Sequence, residues 1–495
     1  MTESLFIGID LGTQSVRALA ANLQGDVVAS ASAPLTSMRD GVRHEQDPLQ
    51  WWKATVICCR SVIQQLHQQS GKAFNIEGIA VDSTSGTILI VDDQRRPLTN
   101  GLMYDDGRAK DEAVRVNEIG ASLWSQLSYR MQPSWALPKL LWLIRNNIFP
   151  ASAKLLHQND FINAQLAGHI LASDSSHTLK TGFDLVRSSW PSSIFDQLDI
   201  STDLLPDVVG PGTMIGSICQ SSADETGLPA GTPIFAGMTD GCAAQIASGA
   251  TKPGNWNSVL GTTLVLKGVT KYLLRDPLGV MYSHRSPDSF WLPGGASSTG
   301  AGVLTAELKD ADLDALSRAV ENASPSSLVI YPLAGHGERF PFAAPEAHSF
   351  AVGPKAGAIP DADRYLALLQ GVAFIEKLSF DYARYLGADL GGTISISGGA
   401  TRSKAWNQIR SNVLQRELTI PQVTEPAFGM CILAAAHRSS LREATTAMVH
   451  SSESVTPNRD FSEYAGSYGT LITELVKRGW LPENVGKFSL EGAFA

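Results

Sequence analysis

The sequence predicts a two-domain protein of the mixed α/β class, and three observations support this. The chain has 495 residues, more than one hydrophobic core usually serves. Short apolar runs typical of strands alternate with longer segments whose apolar residues recur every three or four positions, as in amphipathic helices. A strand–turn–strand pattern at the start returns about half a chain later, which indicates a duplicated unit. We expect domains over residues 1–247 and 248–495, and we keep open that the last helical segment, 465–495, packs on the first domain.

Composition and charge narrow the class of partner. Hydrophobic residues make up 43% and charged residues 18% of the chain, as in soluble globular proteins. The formal net charge of -9 argues against nucleic acid as the main partner. The five cysteines are scattered without metal-ligand spacing, and no leader-like segment or membrane-length apolar run occurs. We therefore expect a cytoplasmic protein with reduced thiols and no membrane partner.

The first strand–turn–strand unit is a candidate phosphate and metal site. An apolar strand ends at Asp10, a turn of Gly12-Thr13-Gln14-Ser15 follows, and a second apolar strand leads away. A small turn of this kind exposes successive backbone N–H groups, which can hold phosphate oxygens. Asp10 could hold a divalent cation directly or through water. An ordinary surface hairpin explains the same residues, and both interpretations stay open at this point.

The next segments predict a helix and a second hairpin. Asp47-Pro48 is a helix start, with Asp as the N-cap and Pro in the first turn, and the helix is expected to stop at Gly71. Cys59 falls on its apolar face and is expected in the core. Residues 76–81 and 87–91 have strand character, and the polar run Asp82-Ser83-Thr84-Ser85-Gly86 between them predicts a hairpin turn.

Two acidic segments are candidate ligand sites. In the run Tyr104-Asp105-Asp106-Gly107-Arg108, carboxylates and an Arg fork could bind adjacent hydroxyls of a polyhydroxylated ligand, although a solvated turn with a local salt bridge has the same residues. Asp240 lies where an apolar strand turns into a small-residue helix, a position that suits either a working carboxylate or an N-cap. The polar segment 174–184, which contains Lys180, has no evident purpose.

The second half contains two further turns that could face a nucleotide. Gly261-Thr262-Thr263 joins two strands, as the opening turn does. Residues 294–302 predict a small-residue loop that opens a helix. A strand over residues 394–397 runs into Gly398-Gly399-Ala400, and Asn407 lies near the start of the next helix. Glycines there would let the backbone lie against a purine and its ribose; close packing of helix on strand needs glycines equally.

Several common nucleotide and metal motifs are missing from the sequence. It contains no G-x-x-x-x-G-K-[ST], no G-x-G-x-x-G and no H-E-x-x-H. A P-loop, a dinucleotide-binding fold and a zincin site are therefore disfavoured.

Six short motifs, in order, resemble the FGGY carbohydrate kinases, the family of xylulose, ribulose and glycerol kinases. The resemblance runs from about residue 6 to about residue 437. The motifs are Gly8-Ile9-Asp10-Leu11-Gly12-Thr13, Glu45-Gln46-Asp47-Pro48 with Trp51-Trp52, Asp106-Gly107-Arg108, residues 237–244 around Asp240, Gly261-Thr262-Thr263, and Gly398-Gly399-Ala400 with Trp406.

This resemblance implies a fold, two cofactors and a division of labour. The family fold consists of two actin-like ATPase (ribonuclease H-like) domains with a catalytic cleft between them. The first domain would bind the sugar and carry the catalytic base, and the second would bind the nucleotide. The implied reaction is ATP-dependent phosphorylation with Mg²⁺. The partners are then ATP and a small sugar, and a homodimer is left open.

The resemblance also assigns roles to individual residues. It makes Asp240 the general base and places Asp10 near Mg²⁺, directly or through water, with Asp240 as a weaker metal contact. The remaining residues fall into three groups: the transferred phosphate meets Gly12, Thr13, Gln14 and Ser15; the sugar meets Ser85, Asp106, Arg108 and Asp240; and the nucleotide meets Gly261, Thr262, Thr263, Gly398, Gly399, Ala400 and Asn407.

The implied sugar is a ketopentose. Glycerol kinases carry an Arg-Glu pair where this chain has Ser83-Thr84-Ser85-Gly86, which makes glycerol a poor candidate. Ser85-Gly86-Thr87 and residues 179–184 resemble the D-ribulose kinases, so D-ribulose ranks first, with D-xylulose close behind and pentitols open. The rival hypotheses are an actin-like nucleotide-dependent switch protein and a catalytically silent sugar sensor.

Overall fold

The computed structural model describes residues 2–69, 73–353 and 359–492. Its strands are β1 Glu3–Leu11, β2 Ser15–Asn22, β3 Val27–Pro34, β4 Met38–Asp40, β5 Arg43–Gln46, β6 Phe74–Ser83, β7 Ile88–Val91, β8 Gly101–Leu102, β9 Lys154–His157, β10 Ser173–Asp174, β11 Val208–Val209, β12 Met214–Ser217, β13 Pro233–Phe235, β14 Trp256–Leu260, β15 Leu264–Gly268, β16 Tyr282–Arg285, β17 Trp291–Ala296, β18 Val329–Tyr331, β19 Phe350–Val352, β20 Ile394–Ser397, β21 Leu418–Pro421 and β22 Ser451–Val455.

Helices connect these strands, and four short 3₁₀ turns occur at Leu179–Thr181, Thr202–Leu204, Gly399–Arg402 and Ala436–Arg438. The α-helices are α1 Pro48–Gln68, α2 Lys110–Gln126, α3 Ala136–Asn146, α4 Gln158–Ala167, α5 Ser175–Thr178, α6 Ser192–Gln197, α7 Gln220–Thr226, α8 Asp240–Ala247, α9 Gly302–Glu307, α10 Leu313–Val320, α11 Asp361–Tyr385, α12 Lys404–Leu414, α13 Pro426–Ala435, α14 Leu441–Met448, α15 Ser462–Lys477 and α16 Glu483–Glu491.

The chain forms two compact units. The first comprises Met1–Thr251, His284–Trp291 and Val423–His450, and the second Lys252–Ser283, Leu292–Gln422 and Ser451–Ala495. Each unit has its own cluster of buried apolar side chains. In the part of the chain that the structure describes, no helix has both the length and the apolar character needed to span a membrane.

The main sheet of the first unit has the strand order β12-β13-β6-β1-β2-β3. Strands β1, β6 and β13 run parallel to one another, and β2 and β3 continue the sheet antiparallel. Helix α1 packs on β2 and β3, and α13 packs on β1 and β6. The contact with α13 is close, because a Cβ added to Gly8 would lie 1.7 Å from the carbonyl oxygen of Ala427. Only glycine fits at that position.

The sheet of the second unit repeats this pattern. Its order is β16-β17-β15-β14-β20-β21-β22. Strands β14, β20 and β21 are parallel, and β15, β17 and β22 pair antiparallel with their neighbours. The six strands β17-β15-β14-β20-β21-β22 thus correspond, in spatial order and direction, to β3-β2-β1-β6-β13-β12 of the first unit. The predicted duplication is confirmed at the level of topology.

The predicted second hairpin is wrong. Strand β6 belongs to the main sheet, whereas β7 belongs to a five-stranded sheet of order β4-β5-β8-β7-β9. The turn at residues 84–87 therefore passes the chain from one sheet to another. Gly86, with φ of +98°, adopts the left-handed conformation that this change of direction requires.

Local helix signals agree with the structure at most positions. Asp47 caps α1, where its carboxylate accepts a hydrogen bond from the N–H of Leu49 at 2.9 Å, and Cys59 is fully buried. The predicted stop at Gly71 lies outside the described residues. The predicted loop over residues 294–302 begins as the end of β17, because its first three residues pair with β15 inside the sheet.

The division of the chain differs from the predicted one in its last part. Residues 423–450, not the terminal helices, return to the first unit, while residues 451–495 stay in the second. Helix α13 is buried at nearly every position and packs on β1, β6 and α8. A helix that is apolar on all sides must be covered on all sides. The terminal helices α15 and α16 instead pack on each other within the second unit.

Candidate active site

Three carboxylates lie at neighbouring strand ends of the first unit. Asp10 is the penultimate residue of β1, and its register partner on the parallel strand β6 is Asp82. One residue further, Ser83 forms a bridge to Thr239, and Asp240 opens α8. Because parallel strands end at the same edge of a sheet, residues distant in sequence meet there.

The electrostatics of this group are dominated by burial. Asp82 is completely buried, and the carboxyl of Asp10 is the one polar group among the described residues that bonds to its oxygens. Burial, followed by the charges of Asp10 and Asp240, raises the pKa of Asp82 well above its usual value. Burial also raises the pKa of Asp10 to about 6; the hydrogen bond between the Asp10 and Asp82 carboxyls lowers it, and the charge of Asp240 raises it. The proton between the pair therefore belongs to Asp82.

Asp240 is not the N-cap of its helix. Thr239 has that position, and Asp240 is the first helical residue. Its Oδ1 accepts a hydrogen bond from the N–H of Gly241 at 2.6 Å. A carboxylate in the first turn is stabilised in its charged form by the positive end of the helix dipole. The side chain is only partly buried, so a ligand can reach it.

The opening turn is held by protein contacts through its carbonyl groups. The N–H of Gly12 donates to the carbonyl of Ser15 at 3.0 Å, and the side chain of Gln46 donates to the carbonyl of Thr13 at 2.7 Å. The carbonyl of Gln14 accepts from the N–H of Leu35 at 2.8 Å. The carbonyls of residues 13–15 are thus engaged with the protein.

Ser85 is the predicted sugar-facing residue that remains available. Its hydroxyl is buried and has no protein partner among the described residues. Its carbonyl accepts a hydrogen bond from Nζ of Lys180 at 3.1 Å, and Lys180 also lies over the ring of Trp135. A buried hydroxyl without a partner is costly unless a ligand or water supplies one.

Asp106 and Arg108 are bonded to each other instead. Nε and Nη2 of Arg108 donate to the two oxygens of Asp106 at 2.8 and 2.7 Å, and Nη2 also donates to Glu45 at 2.6 Å. Asp106 accepts a further bond from the N–H of His44 and is completely buried. The spacing of two residues closes this bidentate pair locally. The pair fixes the turn at residues 104–108, in which Tyr104 and Asp105 are exposed.

The predicted nucleotide-facing residues lie in the second unit. Residues 261–263 form the turn between β14 and β15, and Cβ atoms added to Gly261 or Gly399 would meet open space. Gly398 has φ of +91° and lies against the backbone of Leu260. Asn407 is buried, and its amide nitrogen donates to the carbonyl of Thr401. Its Oδ1 has no partner among the described residues, and its contact with the nucleotide stays a prediction.

Asp82 is not among the site residues that the sequence predicts. The polar run 82–86 predicts a hairpin turn, whereas Asp82 continues strand β6. Its signal was present, since Asp82 follows an apolar strand just as Asp10 does. Only the pairing of β1 with β6 shows that the two side chains share one site.

These carboxylates suit Mg²⁺. The described residues contain no cluster of three or more His, Cys, Asp or Glu side chains arranged to hold a metal ion. Mg²⁺ does not require one, because it usually keeps several waters and binds one or two carboxylates together with substrate phosphates. The partly buried carboxylate of Asp10, next to the buried Asp82, offers that chemistry.

Comparison with known families defines the class of protein. Residues 5–247 match the model of the N-terminal domain of the FGGY family of carbohydrate kinases, and residues 256–437 match that of its C-terminal domain. The chain belongs to this family and is a carbohydrate kinase.

Individual relatives point in the same direction. The chain is similar to a xylulose kinase from Bacillus subtilis (strain 168), with 26% identity over 87% of each chain. It is also similar to a xylulose kinase from Escherichia coli (strain K12), with 28% identity over 84% of this chain and 86% of that protein. The crystal structure of xylulose kinase from Rhodospirillum rubrum shares the fold, with a TM-score of 0.84, 24% identity and coverage of 96% and 99%.

Proposed function

We propose that this kinase transfers the γ-phosphoryl group of ATP to a primary hydroxyl of a ketopentose, with D-xylulose as the preferred sugar. The grouping of Asp10, Asp82 and Asp240 at neighbouring strand ends carries the proposal. The two curated relatives described above are named xylulose kinase. Their names favour D-xylulose over D-ribulose, the sugar that the motif at Ser85 predicts.

Asp240 is the proposed general base. It is a partly buried carboxylate at a helix start, where the N–H of Gly241 donates to its Oδ1, and it would accept the proton of the sugar hydroxyl. The positive end of the helix dipole favours the charged form of a carboxylate in the first turn, and a general base must be charged to accept a proton. Phosphoryl transfer rests mainly on positioning and charge stabilisation, so the base acts as the hydroxyl attacks.

Asp10, with Asp82 behind it, would hold Mg²⁺ directly or through water. When bound, the ion would neutralise charge on the phosphate oxygens. Asp82 keeps its proton and donates it to Asp10, so the pair carries a single negative charge near neutral pH rather than two. A second negative charge next to the first in a buried site would reduce the stability of the folded protein.

The remaining groups bind and orient. The turn at residues 12–15 is proposed to contact the transferred phosphate, and Ser85 Oγ a sugar hydroxyl. In the second unit, Gly261 and Gly399 leave space beside their backbone, which suits close approach of a nucleotide. Asp106 and Arg108 are proposed to hold the turn at residues 104–108 in shape and to make no ligand contact of their own.

A coupled assay of ADP release tests the proposal. D-xylulose, D-ribulose, xylitol and ribitol are compared at saturating ATP with Mg²⁺, together with a reaction without sugar. We expect the highest kcat/KM for D-xylulose and slow hydrolysis without sugar. A tenfold preference for D-ribulose would overturn only the choice of D-xylulose as the sugar. Fast hydrolysis of ATP that no sugar stimulates would overturn the proposal that the protein phosphorylates a ketopentose.

The variant Asp240→Asn tests the catalytic role. Removal of a general base typically lowers the rate by about 10² to 10⁴, and the KM for ATP should stay close to that of the wild type. Unimpaired turnover would remove Asp240 from this role. The exposed Asp196 of α6 supplies the matched control, since Asp196→Asn makes the same change of charge in the same unit.

A further inference from the structure

The polar segment that follows β10 forms a buried hydrogen-bond network in the first unit. Asp174 caps the short helix α5 and accepts bonds from the N–H groups of Ser176 and His177 at 2.9 and 2.8 Å. Its second oxygen pairs with Nδ1 of His177 at 2.7 Å and accepts from the side chain of Asn159 at 3.0 Å. All four residues are essentially inaccessible to solvent. The sequence alone gave this segment no purpose.

His177 connects the network to the end of β6. Its Nε2 lies 2.9 Å from the hydroxyl of Ser83, the residue next to Asp82. The same hydroxyl accepts a bond from the N–H of Asn159 at 3.2 Å. Asp174 orients the imidazole by its bond to Nδ1, so that Nε2 points at Ser83. Ser83 is thereby held from two directions.

Ser176 connects the same helix turn to the residue before Asp240. Its hydroxyl lies 3.2 Å from Oγ1 of Thr239 and accepts the N–H of Thr239 at 3.2 Å. His284 approaches the same hydroxyl, with Nδ1 at 3.1 Å. Thr239 is the N-cap of α8, so its position sets where the first residue of that helix begins.

We propose that residues 174–177, here called the bracket, position the carboxylates of the site: His177 holds the strand end that bears Asp82, and Ser176 holds the turn that bears Asp240. This inference rests on the proposed role of Asp240 as the base. The bracket touches no reacting atom, and Ser176 and His177 are therefore positioning residues. One rigid helix turn sets the spacing between two strand ends that the chain separates by more than 150 residues.

Phosphoryl transfer tolerates only small displacements of its reacting groups. The reacting hydroxyl, the base and the phosphate must be aligned closely, and a displacement of about 1 Å can lower the rate by about 10²-fold. Buried and fully bonded polar networks are rigid, because breaking one bond leaves an unpaired group with no water to replace its partner. The bracket would therefore hold Asp240 in place through residues that do not themselves contact the sugar or the nucleotide.

The test compares Ser176→Ala with a control in the same helix turn. Thr178 is also buried, but its hydroxyl donates only to the carbonyl of Asp174 at 3.1 Å. Thr178→Val therefore removes a buried hydroxyl without touching either strand end. We expect Ser176→Ala to lower kcat for the preferred ketopentose about 10- to 100-fold, with both KM values nearly unchanged. Thr178→Val should keep the wild-type kcat at a similar loss of Tm.

A double-mutant cycle separates this inference from the proposed function. If Ser176 acts through the base, Ser176→Ala should cause little further loss in the Asp240→Asn background. Independent, additive losses would overturn the inference while leaving the base in place. A wild-type kcat for Ser176→Ala, or an equal loss in Thr178→Val, would also overturn it. Full activity of Asp240→Asn would instead overturn the proposed function.

His177 is tested with two amides. The amide of His177→Gln is long enough to replace Nε2 and reach Ser83, whereas that of His177→Asn can replace only Nδ1 and keep the bond to Asp174. We expect His177→Gln to retain several-fold more kcat than His177→Asn at equal Tm. Equal losses of kcat in the two variants would overturn the part of the proposal that concerns Ser83.

Discussion

Replacing Asp10 by Asn is expected to make the protein more stable above pH 6 while removing most of its activity. Burial raises the pKa of Asp10 from 3.8 to about 6. At about 1.36 kcal/mol per pKa unit, ionising this carboxyl in the folded protein costs about 3 kcal/mol of the free energy of unfolding. Asparagine has the same shape and carries no charge, and its amide oxygen can still accept the proton of Asp82.

The sign of the pH dependence follows from the raised pKa. Below about pH 4 the carboxyl is protonated in both states, and it does not reduce stability. As the pH rises from about 4 to about 6, the unfolded chain loses this proton first, so the wild type becomes less stable. Above pH 6 the full cost applies to the wild type and not to Asp10→Asn.

Calorimetry in the presence of EDTA measures the effect. The first unit comprises 287 residues, and for a unit of this size 1 kcal/mol corresponds to about 2 °C in Tm. The first unit of Asp10→Asn should therefore unfold about 5 °C higher than the wild type at pH 7.5, and at nearly the same temperature at pH 4. Asp196→Asn, which changes an exposed carboxylate, should not shift Tm in this manner. Equal Tm values for Asp10→Asn and wild type at pH 7.5 would refute the reasoning.

Three further predictions concern groups outside the carboxylate pair. Burial lowers the pKa of Lys139 to about 7. Between pH 7 and about 10 the unfolded chain therefore binds more protons than the folded protein, and the free energy of unfolding should rise with pH. Lys139→Met should flatten this rise, as measured by urea titrations at several pH values. Arg410 and Glu376 form a completely buried ion pair, so Arg410→Met should cost about 3–5 kcal/mol. Replacing Lys487 of the solvent-exposed pair Lys487–Glu491 by alanine should cost less than about 1 kcal/mol, and equal Tm losses would contradict this. Ser85→Ala should lower kcat/KM for the sugar about 2- to 10-fold, the worth of one hydrogen bond, and leave Tm unchanged; an unchanged kcat/KM would remove Ser85 from the sugar site.

Local sequence patterns predicted the elements well. The strand–turn–strand units around Gly12 and Gly261 and the capped helix at Asp47 follow from neighbouring residues, whose turn and cap preferences act within a few positions. The match of topology between the two sheets also confirms the duplication that these turns indicated. Family resemblance rested on the same short motifs, and the comparison with the family models confirms it.

The site was predicted less completely, because its geometry depends on long-range pairing. Asp82 lies in a predicted hairpin that does not form, since β6 pairs with β1 while β7 joins another sheet. The residues Asp106 and Arg108 predict either a sugar contact or a local salt bridge, and the structure contains the salt bridge. A sequence shows which groups can form a salt bridge and not whether protein or ligand will fill it.

Local sequence patterns therefore predict the strands, caps and turns, and they indicate Asp10 and Asp240 as candidate site residues. They can do so because backbone preferences and side-chain spacing are local properties. Tertiary structure alone decided that Asp82 meets Asp10, that α13 returns to the first unit, and that the segment around His177 lies behind the acids. Each of these depends on which strands become neighbours and which apolar faces must be covered. Those choices are made by burial over the whole unit, and no short window of sequence contains them.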